Sequence, residues 1–270
     1  MASLLVLSIA GCGTGGDAMP PAQATNSTEV AQFPAAPTVD YQLGGAYTPS
    51  AAVQVVVRDR TEAPAEGLFS VCYVNAFQTQ PGEQDAWPEG ALLTVDGEHV
   101  ADPDWPDEIL LDTSTATSRA AIVEVVSPWI QGCADDGFEA VELDNLDSFT
   151  RSHGALALED NLALAASLAD VAHRAGLAVG QKNSAEHALR LKDEAGFDFA
   201  VAEECAAYDE CTAYTDVYGE AVIDIEYPDE LPRSFREMCE DPATPRSMIL
   251  RDRDLLTPGD EGYVFESCTS

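Results

Sequence analysis

The sequence predicts a single α/β domain built as a (β/α)8 barrel, the TIM-barrel architecture. At 270 residues the chain is long enough for such a barrel to fold as one unit. Short apolar runs rich in β-forming residues recur along it, with helical or loop segments between them. The runs are apolar throughout rather than at alternate positions, which is typical of parallel strands buried on both faces.

There are eight of these predicted strands. They are VQVVVRD from Val53, FSVCYV from Phe69, EILLD from Glu108, AVELDN from Ala140, LAVGQKN from Leu177, FAVAEE from Phe199, AVIDIEY from Ala221 and SMILRDR from Ser247. The clearest helix between them runs from Leu156 to Leu177, because apolar residues recur every three or four positions and a glycine lies near its end. Further helices are predicted around residues 118–131 and 184–195. Strands that alternate with crossovers favour a closed parallel barrel.

The first segment, MASLLVLSIAGCGTGGD, has features of a lipoprotein signal. An apolar run too short to span a bilayer ends in Ile9, Ala10 and Gly11, directly before Cys12. We therefore predict a signal segment over residues 1–11 and a lipid on Cys12, which would put the protein on the extracellular face of the cell membrane or secrete it. No Lys or Arg precedes the run, so a frayed apolar terminus is the alternative.

Residues 12–38 predict a flexible tether. They are rich in Gly, Pro, Ala, Ser and Thr and have no periodic apolar pattern. The barrel domain would then cover residues 39–270. No later segment is apolar for long enough to cross a membrane, so the lipid would be the only membrane contact.

Six cysteines besides Cys12 predict disulfides, because an even number in an exported chain suggests a disulfide set, with fifteen pairings possible in principle. Two pairs are suggested by position along the chain, and the third is left by elimination: Cys205 with Cys211, Cys239 with Cys268, and Cys72 with Cys133. A zinc site is the competing interpretation. It is disfavoured because no CxxC pair occurs and the four histidines are scattered.

The composition is strongly acidic, with 48 acidic and 13 basic residues and a formal net charge of −35. Nucleic acids and anionic membranes are therefore excluded as electrostatic partners, and a polycationic partner becomes plausible. A solvated surface suited to solubility or salt is the alternative. We expect a monomer, and we expect no metal or organic cofactor. The carboxylate cluster could bind Ca²⁺, but the aspartates lack the spacing of an EF-hand loop, which disfavours a calcium site.

Polar groups end nearly every predicted strand. A lone strand-end acid is more often a helix cap, but so many of them predict a ring of carboxylates at the carboxyl end of the barrel, where active sites form. Alternation along the strand puts Glu142 and Asp144 on one side, inward, and Asp147 in the loop beyond. The strand-end groups are Arg58, Asp59, Tyr73, Asn75, Asp112, Glu142, Asp144, Asn145, Lys182, Asn183, Glu203, Glu204, Glu226, Tyr227, Arg251 and Asp252.

Two carboxyl groups that face each other across a cleft are the minimal equipment for glycoside hydrolysis. The sequence has no GxSxG, GxxxxGK[ST] or HExxH motif, which disfavours serine hydrolases, P-loop nucleotide-binding proteins and zinc proteases. Aromatic residues near strand ends, where a sugar ring can stack, are Tyr73, Phe77, Trp87, Trp105 and Tyr227. Each of them taken alone is better explained by packing.

Five ordered stretches resemble glycoside hydrolase family 114, the endo-α-1,4-polygalactosaminidases: VCYVNAFQTQP, GFEAVELDNLDSF, GLAVGQKNSAEHA, FDFAVAEECAAYDEC and AVIDIEY. The most specific matches are to the family's V-E-x-D-N motif at residues 141–145, its G-L-K-N motif at 180–183, and its N-E-x-C and E-C motifs at 202–205 and 210–211. The likeness extends from about Tyr41 to Cys268.

The resemblance implies a (β/α)8 barrel that cleaves α-1,4-linked galactosamine polymer, a cationic amino-sugar polysaccharide. It implies Asp144 as nucleophile or base and Glu203 as proton donor, with the pair better determined than the order. Residues that would bind sugar or tune the two acids are Tyr73, Asn75, Asp112, Glu142, Asn145, Lys182, Asn183, Glu226 and Tyr227. For Lys182 the alternative is that it only neutralises the carboxylates around it.

The chain departs from the family pattern at three positions in these motifs. It has Leu143 where the family often has proline, Gln181 where it has leucine, and Ala202 where it has asparagine. The exact sugar and its acetylation therefore stay open. Two alternatives remain: a barrel that binds polysaccharide without cleaving it, and a hydrolase of acetylated or neutral α-galactoside chains.

Overall fold

The computed structural model describes residues 29–268, and its main feature is a nine-stranded sheet that curls into a nearly closed barrel. Eight strands are parallel, and the last is antiparallel to its neighbour. The order around the sheet is β1-β2-β3-β6-β7-β8-β9-β10-β11, and β4 with β5 forms a separate hairpin. The predicted TIM-barrel architecture is confirmed.

The strands are β1 Val39–Gln42, β2 Val55–Asp59, β3 Phe69–Asn75, β4 Thr94–Val95, β5 Glu98–His99, β6 Ala140–Asp144, β7 Ala178–Lys182, β8 Phe199–Glu203, β9 Val222–Glu226, β10 Ser247–Arg251 and β11 Phe265–Ser267. The α-helices are α1 Ala116–Asp136, α2 Leu158–Arg174, α3 Ala188–Ala195, α4 Cys211–Tyr218 and α5 Phe235–Cys239. The three helices predicted from the sequence correspond to α1, α2 and α3, the last preceded by a 3₁₀ turn at Ala185–His187.

One predicted strand is wrong, and four strands of the structure, β1, β4, β5 and β11, were not predicted. Residues 108–112 form no barrel strand; Ile109, Leu110 and Leu111 make isolated antiparallel bridges within the long segment between β3 and α1. Leu110 packs in a small separate core with Leu93 and Val100, whereas Leu111 packs in the main core. The missing barrel strand is β1, in which a charged residue interrupts the apolar pattern.

Alternate residues of the parallel strands fill the barrel, while the others pack against the helices. The interior positions are Val39, Val55, Val57, Val71, Ala140, Ala178, Phe199, Val201, Ile223, Ile225 and Ile249. Gly180 is required here by space, because a Cβ atom on it would lie 2.5 Å from the Phe199 ring. The period of two therefore decides which strand-end residues reach the barrel mouth.

The seam between β1 and β10 is bridged by the side chain of Arg251, which is fully buried. Its Nη1 donates to the Tyr41 carbonyl of β1. Its Nε donates to the Val264 carbonyl at 3.0 Å and its Nη2 to the Leu256 carbonyl at 2.8 Å. One guanidinium thus joins both sides of the seam to the C-terminal segment.

The structure contains the three predicted disulfides. Cys72–Cys133 joins β3 to α1, Cys205–Cys211 closes the loop before α4, and Cys239–Cys268 joins the end of α5 to the C-terminal segment. Their partners are separated by 61, 6 and 29 residues. By loop-closure entropy each contributes about 2–4 kcal/mol. The alternative of a zinc site is wrong for these six cysteines, because each of their sulfurs forms a disulfide with one partner.

The predicted signal segment, Cys12 and residues 12–28 of the predicted tether lie outside the described residues. The rest of the predicted tether, residues 29–38, lies against the end of the barrel where the strands begin. The Ala31 amide donates to the Gly176 carbonyl at 3.0 Å, and the Ala36 amide donates to the backbone carbonyl of Glu220 at 2.9 Å. The Phe33 ring stacks on the Phe199 ring with their centroids 4.2 Å apart. Among residues 29–268, no helix combines the length and apolar character needed to span a bilayer.

Candidate active site

The carboxyl ends of the barrel strands surround a cavity of about 590 Å³. Its walls combine tyrosines from strand ends, acids and asparagines from the loops that follow, and a segment of the β3–α1 connection that leans over the mouth. The lining residues are Tyr41, Leu43, Tyr73, Asp102, Asp104, Trp105, Glu108, Asp144, Asn145, Asp147, Arg151, Lys182, Asn183, Glu203, Glu204, Tyr227, Arg253 and Leu255.

Lys182 lies at the centre of this site, at the end of β7, and is 4% exposed. Its Nζ is 3.5 Å from Asp144 Oδ1 and 3.3 Å from Glu203 Oε2. It is also 3.5 Å from Glu142 Oε1. Burial lowers the pKa of Lys182, but Asp144 and Glu203 outweigh that effect and hold the pKa well above its usual value. The side chain is therefore an ammonium that neutralises part of the charge of three acids.

Asp144 ends β6 and reaches the cavity with both of its carboxylate oxygens hydrogen-bonded. The Tyr73 hydroxyl donates to Asp144 Oδ2 at 2.6 Å, and the Asn145 amide donates to Oδ1 at 2.7 Å. Lys182 approaches the same Oδ1. Tyrosine, backbone and ammonium together fix the orientation of this carboxylate.

Glu203 ends β8 and is held in a similar way. The Tyr227 hydroxyl donates to Glu203 Oε1 at 2.5 Å, and Asn183 Nδ2 donates to Oε2 at 2.9 Å. Burial raises the pKa of Glu203, but Lys182, Tyr227 and Asn183 together bring it below its usual value. Glu203 is therefore ionised at neutral pH in the free protein.

Asp144 and Glu203 face a common centre, because β7 lies between β6 and β8 in the sheet. Asp144 Oδ1 and Glu203 Oε2 both lie within 3.5 Å of Lys182 Nζ. These two oxygens are thus at most about 7 Å apart, a distance that accommodates a glycosidic bond.

Glu142 is fully buried beneath these two acids and does not line the cavity. Its Oε1 accepts from the Tyr41 hydroxyl at 2.8 Å, and its Oε2 has no partner among residues 29–268. Burial raises the pKa of Glu142 to about 7 although Lys182 lowers it. Of the two roles predicted for Glu142, tuning the acids fits this position, and direct contact with sugar does not.

The turn after each of β6, β7 and β8 has an unusual backbone. Asn145, Asn183 and Glu204 each follow the last residue of the strand, and their φ angles are 67°, 52° and 60°. Asparagine tolerates this left-handed region, whereas glutamate rarely adopts it. Glu204 is held there by a hydrogen bond from its backbone amide to the Ile225 carbonyl and by an ion pair to Arg253, both at 2.8 Å. Strain of this kind concentrates at functional sites.

Besides Glu142, three of the predicted sugar-binding residues do not line the cavity. Asp112 is half-buried and accepts from the Ser114 amide at 2.9 Å just before α1, because residues 108–112 form no barrel strand. Glu226 faces away from the barrel interior, where its Oε1 accepts from the Ala206 amide at 2.8 Å. Asn75 is buried, and its Oδ1 accepts from Asn145 at 3.1 Å.

The other predicted binding residues, Tyr73, Asn145, Lys182, Asn183 and Tyr227, line the cavity together with Asp144 and Glu203. Sequence reasoning missed several more. Tyr41 was hidden in the unpredicted strand β1, although an aromatic residue two positions after Val39 is its alternation signal. Glu108 and Arg253 come from loops and Arg151 ends the short 3₁₀ helix Ser148–Arg151, and no periodic pattern predicts how these connections fold.

A barrel that brings two carboxyl groups together at the carboxyl ends of its strands has the active-site architecture of a glycosidase. The chain belongs to glycoside hydrolase family GH114, whose family model matches residues 20–270. The resemblance seen in the sequence motifs is thereby confirmed, and the protein is a glycosidase. The connection of the individual motif residues to catalysis stays a prediction.

Solved structures with the same fold include Aspergillus fumigatus Ega3 in complex with galactosamine. It is 21% identical, with a TM-score of 0.70 over 85% of this chain and 97% of that chain. The glycoside hydrolase domain of PelA from Pseudomonas aeruginosa is 16% identical, with a TM-score of 0.55 over 84% of this chain and 97% of that chain. Among curated proteins, no sequence matches this chain significantly.

Proposed function

We propose that this glycosidase is an endo-acting hydrolase that cleaves α-1,4-linked galactosamine-containing polysaccharide and uses Asp144 and Glu203 as its acid pair. The observation that carries the proposal is their convergence on one buried ammonium, Lys182, within an open cavity at the barrel mouth. Family membership and the galactosamine complex of the similar structure Ega3 support the substrate class.

The chemistry needs one acid to protonate the leaving oxygen while the other attacks the anomeric carbon or activates water. Tyr73 and Tyr227 each donate to one oxygen of their carboxylate, which aims the remaining lone pairs. The lowered pKa of Glu203 makes it anionic in the free protein. We therefore propose Asp144 and Glu203 as the acid pair without assigning which is the nucleophile and which the proton donor. The order that the motifs imply, with Asp144 as nucleophile and Glu203 as donor, requires Glu203 to gain a proton when substrate displaces water.

Replacing either acid by its amide removes a group that changes protonation or forms a bond in the transition state. We expect D144N and E203Q each to lower turnover of galactosamine polymer by at least about 1,000-fold, as measured by release of reducing ends. The matched control is D193N, because Asp193 is an exposed acid on α3. Its turnover should equal that of the wild type.

The same assay separates the remaining alternatives. A folded D144N or E203Q with full activity would overturn the assignment of the pair. Binding of the polymer by the wild type without any release of reducing ends would leave a non-catalytic binding protein. Cleavage only of acetylated or neutral α-galactoside chains in a substrate panel would overturn the substrate class.

We also propose that the protein is exported and held at the membrane surface through a lipid on Cys12. The support is the sequence of the first segment, since Cys12 lies outside the described residues. Intact-protein mass spectrometry of the full chain from its native host would detect cleavage before Cys12 and the added lipid. An unmodified N-terminus would contradict this localisation.

A further inference from the structure

The carboxylates that line the cavity differ in whether a basic side chain neutralises them. Three cations within residues 29–268 serve most of these acids: Lys182 pairs with Asp144 and Glu203, Arg151 pairs with Asp102 and Asp147, and Arg253 pairs with Glu204. Two acids of the lining, Asp104 and Glu108, have no basic group within 4.0 Å in that part of the chain. Asp104 is exposed to solvent, whereas Glu108 is partly buried.

Glu108 is fixed in place through one oxygen only. Asn75 Nδ2 and Gln78 Nε2 both donate to Glu108 Oε2, each at 3.1 Å. Its Oε1 has no hydrogen bond to any residue in the described range. Burial raises the pKa of Glu108 to about 7 against the effect of the two amides, and Asp144 adds to the rise. The site thus holds a positioned carboxylate oxygen that lacks a cation.

Trp105 lies on the cavity wall close to Glu108 in sequence and is 61% exposed. The Glu108 amide donates to the Trp105 carbonyl at 2.9 Å, so one tight turn carries both side chains. Within residues 29–268 the indole stacks on no other aromatic ring. A large aromatic face left open at a cavity wall suits the apolar face of a sugar ring.

We propose that Trp105 and Glu108 form a sugar subsite that selects a free amine: the indole stacks on the ring, and Glu108 Oε1 binds the ammonium of a galactosamine unit. An N-acetylated unit has no charge to offer the carboxylate and loses this contact. The inference rests on the proposed function and deepens it, because it assigns the preference for de-N-acetylated chain to one residue. The cavity's other half-buried acids are occupied by the protein's own cations.

The test is calorimetric binding of α-1,4-linked galactosamine trimers, with free amines or fully N-acetylated, in an E203Q background that spares the ligand. Adding E108Q should weaken binding of the free-amine trimer about tenfold and leave the acetylated trimer unchanged. The glutamine keeps an oxygen for Asn75 and Gln78, so the melting temperature should not change. Adding W105A should weaken both trimers about equally, since stacking does not depend on the amine.

The matched control is E98Q, because Glu98 is an exposed acid in the same β3–α1 connection and does not line the cavity. It should alter neither affinity. Unchanged binding of the free-amine trimer by the E108Q variant, or equal weakening of both trimers, overturns the inference while leaving the proposed function intact. Failure of the wild type to cleave galactosamine polymer overturns the proposed function itself, and this inference with it.

Discussion

The most unusual residue of the site is Glu142, a fully buried acid with one oxygen that has no partner within residues 29–268. Such a group is costly to ionise, which is why burial raises its pKa to about 7 even beside Lys182. The free-energy cost of burying Glu142 is tolerable because the Lys182 ammonium beside it is the one that also pairs with Asp144 and Glu203. Neutral Glu142 leaves more of the positive charge of Lys182 for the two cavity acids.

This shift predicts how stability depends on pH. The folded-state pKa of Glu142 lies above its unfolded value, so its contribution to stability is fully present below about pH 4.5 and is lost as pH rises through about 7. The loss is up to about 3 kcal/mol. E142Q stays neutral at every pH, so its melting temperature should gain on that of the wild type between pH 5 and pH 8. A difference in melting temperature that is the same at both pH values would contradict this account.

At the scale of elements, the strands β6, β7 and β8 present Asp144, Lys182 and Glu203 in the same inward register. The sequence allowed these strands to be predicted because their residues are apolar on both faces. It did not allow β1 to be predicted, because Asp40 interrupts a strand of only four residues. Residues 108–112 resembled a strand because Leu110 and Leu111 are buried, the first in a small local core and the second in the main core.

Alternation also explains which site residues were predictable. Asp144 and Glu203 lie on the inward face of strands whose limits were right, whereas Glu226 lies on the outward face of β9 and Asp112 follows no barrel strand. The cavity wall around Trp105 and Glu108 comes from a long connection without periodic pattern. Its path over the barrel mouth depends on tertiary contacts, such as the bonds from Asn75 and Gln78 to Glu108.

The seam between β1 and β10 should depend strongly on Arg251. Its guanidinium donates to one buried and two partly buried carbonyl groups, so R251Q leaves acceptors unsatisfied and should cost about 3 kcal/mol of unfolding free energy. Urea denaturation measures the change. The matched control is R246Q, because Arg246 is exposed and lies just before the same strand. If both variants lost the same stability, the seam would not depend on this side chain.

For the whole molecule, the net charge of −35 acquires a specific interpretation. Lys182, Arg151 and Arg253 offset part of the charge of the acids that line the cavity, and most of the excess charge lies elsewhere in the chain. A negative surface of this size raises the local concentration of a polycation and speeds its encounter with the cavity. The field acts over about 8 Å at physiological ionic strength.

Salt should therefore weaken the enzyme on a cationic substrate. Raising NaCl from about 0.05 to about 0.5 M should increase KM for the fully de-N-acetylated polymer several-fold and leave kcat nearly constant. The control substrate is the N-acetylated polymer, or a binding measurement where it is not cleaved. Activity on the de-N-acetylated polymer that does not change with salt would leave solubility as the explanation of the acidity.

The segment from Ala31 to Ala36 has a practical consequence for how this enzyme can be held. It packs at the end of the barrel where the strands begin, opposite to the cavity, and Cys268 returns to the same end through its bond to the Met248 carbonyl. Both described chain ends therefore leave from the floor of the barrel. A resin, a fusion partner or a cell surface joined to either described end would be attached at the end of the barrel opposite to the cavity. The cavity would then face away from the attachment and stay open to the polymer.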